Sequence, residues 1–122
     1  MKQVLFVGLG GAAGSILRYL TNVITLKYYV TSFPMATFIV NVAGCFIAGL
    51  IFGLIAQETT EAQNLKLLLI TGFCGGFTTF SAFALENVRL MNSGNTTTAV
   101  LYTIASIAAG LLAVWIGLLI TR

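Results

Sequence analysis

Four long apolar runs constrain this chain more than any other feature. They extend from Val4 to Leu26, Met35 to Ala56, Leu67 to Val88 and Ala99 to Ile120. About 20 residues of α-helix cross roughly 30 Å of hydrocarbon. Lipid offers backbone N–H and C=O groups no partner, so only helices and closed barrels span it. Barrel strands would alternate polar and apolar residues, and these runs do not. The expectation is an all-α membrane protein with four transmembrane helices in one domain, residues 1–122.

Composition agrees. Hydrophobic residues make up 58% of the chain and charged residues 7%, against roughly 25% charged in a soluble domain. The joins are short and polar. Lys27 to Pro34 forms the first, with Pro34 opening the second helix where it costs little. Gln57 to Lys66 forms the second, and the third, from Asn92 to Thr98, carries turn residues. Lys2 followed by an apolar run resembles a secretory signal, but the run passes Arg18 and continues to Leu26. That is too long for a signal core, so a retained first helix is expected. Gly10 and Gly14, Gly49 and Gly53, and Gly72 and Gly76 each form a GxxxG pair. Such pairs let helix backbones touch where no hydrophobic effect drives association, within a chain or between chains.

Several function classes drop out. The net charge is +3, but the six basic residues are scattered, with no stripe to follow nucleic-acid phosphates. Cys45 and Cys74 stand in separate runs with no metal-ligand spacing and read as small packing residues. The chain contains no His and no Asp. No nucleophile–base pair can be assembled from them, so an enzyme is not expected.

With four spans, Lys2, Lys66 and Arg122 fall on one side of the membrane, and Lys27, Arg89 and Arg18 on the other. Orientation normally follows a Lys/Arg excess on one side. Three against three gives none. The expectation is a chain inserting both ways up, whose oppositely oriented copies pair about a two-fold axis in the membrane plane. Inverted repeats produce that geometry within single transporter chains.

Polar groups within hydrocarbon mark function by default. The third run carries Gly72, Gly75 and Gly76 with Thr78 and Thr79 near its middle. Such residues weaken a helix. They serve either a mid-membrane break, whose freed carbonyls a hard cation such as sodium would satisfy, or an unbroken helix packed through its glycines. Asn41, one turn after Thr37, reads either as a helix–helix hydrogen bond or as a donor to an anion in a pore. Phe80 and Phe83 flank Ser81. Their rings have electropositive edges that, with hydroxyl and amide donors, can replace water around a small anion, although packing is the ordinary use of such a pair. Arg18 either snorkels to the interface or draws anions to a vestibule. Tyr102 and Ser106, four residues apart, extend a polar track. Glu86 reads as facing water or pairing with Arg89 three residues on.

At these residues the chain resembles the Fluc family of small fluoride channels. The stretch GFCGGFTTFSAF, Gly72 to Phe83, is similar to the family's third-helix motif. Gly10 to Tyr19 resembles its first-helix motif, and FIVNVAG around Asn41 its second. The resemblance implies an antiparallel, dual-topology homodimer in the cell's inner or plasma membrane that lets fluoride leave the cytoplasm. It further implies a structural, untransported sodium ion on the main-chain carbonyls of Gly75 and Thr78. Fluoride would meet Asn41, Phe80, Phe83, Ser81, Thr37, Tyr102 and Ser106, with Arg18 in the vestibule. Two positions depart from the family pattern: Ala82 where Thr is frequent, and Gly110 where some members carry a hydroxyl. The rival is a small multidrug exporter, also four-helical and dual-topology. It needs an acidic residue inside a helix, whereas Glu58 and Glu61 fall in a join and Glu86 near a helix end.

Overall fold

The computed structural model describes residues 1–55 and 59–121, and every regular element among them is helical. Ala56, the end of the second apolar run, lies outside the described residues, as do Gln57, Glu58 and Arg122. The elements are α1 (Lys2–Tyr28), α2 (Met35–Leu54), α3 (Thr60–Lys66), a π-helical stretch (Leu67–Cys74), α4 (Gly75–Phe77), α5 (Phe80–Asn92) and α6 (Thr96–Ile120). Among the described residues four stretches are long and apolar enough to cross a membrane: Lys2–Tyr28, Met35–Leu54, Thr60–Asn92 and Thr96–Ile120.

The third of these starts earlier than its apolar run. Residues read as a polar join, Thr60 to Lys66, are helical because Thr59 caps them. Its Oγ1 accepts from the Ala62 amide at 3.2 Å, and Glu61 sits in the first turn, where a negative charge suits the helix dipole. The join before α6 is a turn, as its composition suggests. Gly94 takes φ +81°, its amide bonds the Met91 carbonyl, and the Asn95 amide bonds the Leu90 carbonyl at 2.8 Å. This is a Schellman ending, and the left-handed residue is glycine because a Cβ there would clash. Pro34 precedes α2 as its N-cap.

Two seams hold the bundle. Along the first, α1 lies against the π-helical stretch and α4. A Cβ on Gly10 would run into the Leu68 carbonyl and come within 2.8 Å of the Phe73 nitrogen. One on Gly14 would strike the Phe73 carbonyl, and one on Gly76 the Gly11 carbonyl. Along the second, α2 lies against α6, where Gly49 meets the Val114 backbone and Gly53 the Thr121 hydroxyl. All three GxxxG pairs therefore work within the chain. In both seams van der Waals contact between backbones replaces the side-chain core of a soluble protein.

Little apolar surface is enclosed. Leu9, Leu101, Leu111 and Trp115 all stand exposed on the single chain. In water such a surface would aggregate, and in hydrocarbon it costs nothing. The small buried cluster is Leu90, Ala99 and Tyr102, with Phe33, Phe38 and Phe83 packed on it.

Candidate functional site

The polar side chains gather where regular helix stops. Thr78 (φ −81°, ψ 160°) and Thr79 (φ −152°, ψ 117°) are extended between α4 and α5. Thr79 caps α5, its Oγ1 accepting from the Ala82 amide at 3.2 Å. The same hydroxyl lies 3.2 Å from the Ser81 Oγ.

Neighbouring helices reach this interruption with side chains. Asn41 of α2 makes two bonds to one residue. Its Oδ1 accepts from the Thr79 amide at 2.7 Å, and its Nδ2 donates to the Thr79 carbonyl at 3.1 Å. From α1, Arg18 Nε donates to the Gly76 carbonyl at 3.1 Å. Arg18 therefore sits beside the interruption rather than at a helix end. As a topology charge it drops out, leaving Lys2, Lys66 and Arg122 against Lys27 and Arg89.

Two of the bypassed carbonyls have helical donors that bond elsewhere. An unbroken helix would aim the Thr79 amide at the Gly75 carbonyl and the Ala82 amide at the Thr78 carbonyl. Both donors are diverted, to Asn41 and to the Thr79 hydroxyl. Hard cations take such oxygen ligands, so the donor set at Gly75 and Thr78 suits sodium.

Glu86 is placed differently from the sequence reading. Its carboxylate neither turns to Arg89 nor simply faces water. It accepts from the Thr37 hydroxyl at 2.6 Å and from the Tyr102 hydroxyl at 2.9 Å. Donors on α2 and α6 converge on it, and a carboxylate among helices needs them. Tyr102 is fully buried, with its ring 5.1 Å from that of Phe83 and 5.2 Å from that of Phe33. Nearby, Asn87 Oδ1 accepts from the Thr103 hydroxyl at 2.9 Å while its Nδ2 donates to the Phe83 carbonyl.

Thr79 separates two cavities and lines both. One, of about 290 Å³, is walled by Ser15, Arg18, Asn22, Thr37 and Glu86 among others. The other, of about 270 Å³, is walled by Asn41, Thr78, Phe80, Phe83 and Ser106 among others. The anticipated site residues are thus divided. Asn41, Phe80, Phe83 and Ser106 come together, while Arg18 and Thr37 share the first space with Glu86. Ser81, Tyr102 and Gly75 line neither cavity. The Phe80 and Phe83 ring centroids are 5.7 Å apart, and Phe80 is 78% exposed, so this groove is open along one flank of the chain. Ser106 Oγ is buried there with no hydrogen-bond partner among the described residues, an unusual state for a hydroxyl.

Sequence reasoning counted Thr79 only as a helix-weakening residue and undervalued Glu86. A signal existed for the latter: it is the one acidic residue within any of the four apolar runs.

Comparison with known proteins agrees with this architecture. Residues 5–118 match the model of the family described as CrcB-like protein, Camphor Resistance. A relative from Flavobacterium psychrophilum is 48% identical over all of this chain and 98% of its own length. One from Rhodococcus jostii is 51% identical over 97% of each chain. One from Rhizobium leguminosarum is 46% identical over all of this chain and 98% of its own. The first and third are named fluoride-specific ion channel FluC and the second fluoride-specific ion channel FluC 2. With these matches running nearly end to end, the chain is a multi-pass membrane protein belonging to the CrcB-like family, whose curated relatives here carry the names of ion channels and not of enzymes.

Proposed function

We propose that this chain is a fluoride-selective channel that lets fluoride leave the cytoplasm across the inner or plasma membrane. The observation that carries the reading is the groove beside Thr79. Among the described residues it offers an amide, an unpartnered buried hydroxyl and two ring edges, with no charged side chain beside them. Fluoride is small and strongly hydrated, so a path must replace several water contacts without binding so tightly that release fails. Asn41 keeps a second amide hydrogen beyond the one given to Thr79. Ser106 supplies a hydroxyl, Phe80 and Phe83 supply ring edges, and Ser81 adds a hydroxyl at the cap. Arg18 lines the neighbouring space and draws anions toward it. Thr37 and Tyr102 hold Glu86 there, so their hydroxyls reach fluoride only by sharing with that carboxylate. A cation exporter is disfavoured, because Arg18 shares the cavity with Glu86, the one acid inside an apolar run.

The working unit in this reading is an antiparallel, dual-topology homodimer. Two features support it. The basic residues differ by only one between the two sides, too little to fix orientation firmly. An ion groove open along the flank, with Phe80 exposed, needs a second surface to shut out lipid. The third span acts as a helix broken at mid-membrane. Its Gly75 and Thr78 carbonyls hold a structural sodium ion, which when bound would neutralise the freed carbonyl dipoles and tie the copies together.

Liposomes containing only this purified chain test the function. Fluoride should leave them, read by a fluoride electrode, and chloride should stay. Retention of both ions would overturn the reading. A C-terminal reporter active on one side of the membrane should give signal from both orientations, and signal from a single orientation would remove the dual topology. For the sodium ion, dimer stability should fall when a bulky organic cation replaces sodium, and indifference to the exchange would remove it.

A further inference from the structure

We propose that Asn41 and Arg18 are positioning residues that staple the interruption in the third span and keep the Gly75 and Thr78 carbonyls free of amide donors. The proposal rests on the sodium reading above, which assigns those carbonyls their use. Two extended residues do not hold themselves apart. Left alone, Thr79 would relax toward helix, and its amide would close on Gly75. Asn41 holds that amide at 2.7 Å and the carbonyl of the same residue at 3.1 Å, fixing the peptide plane on both sides of Thr79. Arg18 Nε takes the Gly76 carbonyl, which the Phe80 amide would otherwise claim.

Both side chains reach the interruption by the same means. A glycine stands about one turn away on the same helix and brings that helix close. Gly14 is four residues before Arg18, and a Cβ there would strike the Phe73 carbonyl and lie 2.8 Å from the Phe77 nitrogen. Gly44 is three residues after Asn41, and a Cβ there would meet the Thr78 methyl and lie 3.3 Å from the Phe77 ring. The two walls of the interruption are therefore built alike, glycine for approach and a polar side chain for grip. Asn41 and Arg18 act on the cation site through the backbone, whatever each also offers to an anion.

Arg18 lets charge and grip be separated. In Arg18→Gln the side-chain amide nitrogen stands at the position of Nε, so a donor to Gly76 survives while the charge is lost. Arg18→Lys keeps a charge but puts carbon at that position. The experiment titrates sodium against a bulky organic cation at constant ionic strength and follows unfolding of the purified, assembled protein. The staple predicts that Arg18→Lys raises the sodium midpoint about tenfold, the cost of one charge-assisted hydrogen bond, while Arg18→Gln stays near the parent. A general loss of packing would lower stability equally with and without sodium and leave the midpoint unmoved. Hydrogen exchange at the Thr79 amide forms the second arm. It should quicken about tenfold or more in Asn41→Leu, which removes both bonds. It should stay slow in Asn41→Asp, which keeps the acceptor, and this variant serves if the leucine variant does not assemble. Equal midpoints in the two Arg18 variants, or Thr79 exchange at the parent rate in Asn41→Leu, would overturn the staple. Should the parent itself ignore sodium, the sodium reading fails alone, and Thr79 exchange still decides whether the staple exists.

Discussion

The third span has two unlike halves. Before Thr78 it is glycine-rich and lies against α1 through backbone, with Gly72 and Gly76 facing Gly10 and Gly11. After Thr79 it is bound to its neighbours by polar side chains: Glu86 to Thr37 and Tyr102, and Asn87 to Thr103. The first half fixes where the span sits and carries no polar side chain into the groove. The second carries donors and acceptors that an ion can use. The difference teaches that rigidity and chemistry are separated along a single span, with the interruption as the boundary.

Substitutions along the seam between the first half and α1 should act on folding, and the largest effect belongs there. Gly10→Ala forces a methyl into the Leu68 carbonyl. The backbones must part, at about 3 kcal/mol of stability. Gly8 lies on the same helix with nothing within 4 Å of its would-be Cβ. Gly8→Ala should be neutral or gain up to about 1 kcal/mol from helix propensity. Unfolding of both variants in detergent checks this, and equal losses would break the comparison.

In the second half, Thr103→Val leaves the Asn87 Oδ1 without its donor and should cost about 2 kcal/mol of stability. Folded protein should conduct at the parent rate, since neither residue lines the groove. Phe80→Ile keeps apolar bulk and removes the ring edge. Fluoride efflux should fall about tenfold with assembly intact on size-exclusion chromatography. Ser106→Ala removes a hydroxyl that bonds nothing among the described residues. Its stability should change by less than about 0.5 kcal/mol, while efflux falls by roughly fivefold. A large stability loss there would mean that the hydroxyl has a structural partner.

Much of the first half was legible in the sequence, because glycine spacing encodes backbone approach directly. The pairs at Gly10 and Gly14 and at Gly72 and Gly76 mark faces made for close contact, leaving open whether the partner lies in the same chain. The four spans were legible for the same reason, since lipid leaves the backbone one choice. The helical start at Thr60 was hidden because polar residues suit a cap and a join equally well. The second half was less legible. Asn41 was readable as either a helix–helix bond or a pore donor, and its bidentate hold on Thr79 depends on the extended backbone opposite. Glu86 read as near a helix end because the hydroxyls that turn it inward lie on α2 and α6, far away in the chain. Arg18 read as snorkelling or steering, and its bond to Gly76 requires knowing how closely α1 approaches. Pairings between helices carry no local periodicity, so the chain order does not announce them.

The central claim is that fluoride crosses along the groove after the interruption. It is tested most directly by fluoride efflux from liposomes containing the Phe80→Ile/Ser106→Ala double variant, with size-exclusion chromatography to confirm assembly. The account predicts an assembled protein whose fluoride efflux has nearly vanished. An assembled double variant that releases fluoride at the parent rate would contradict it.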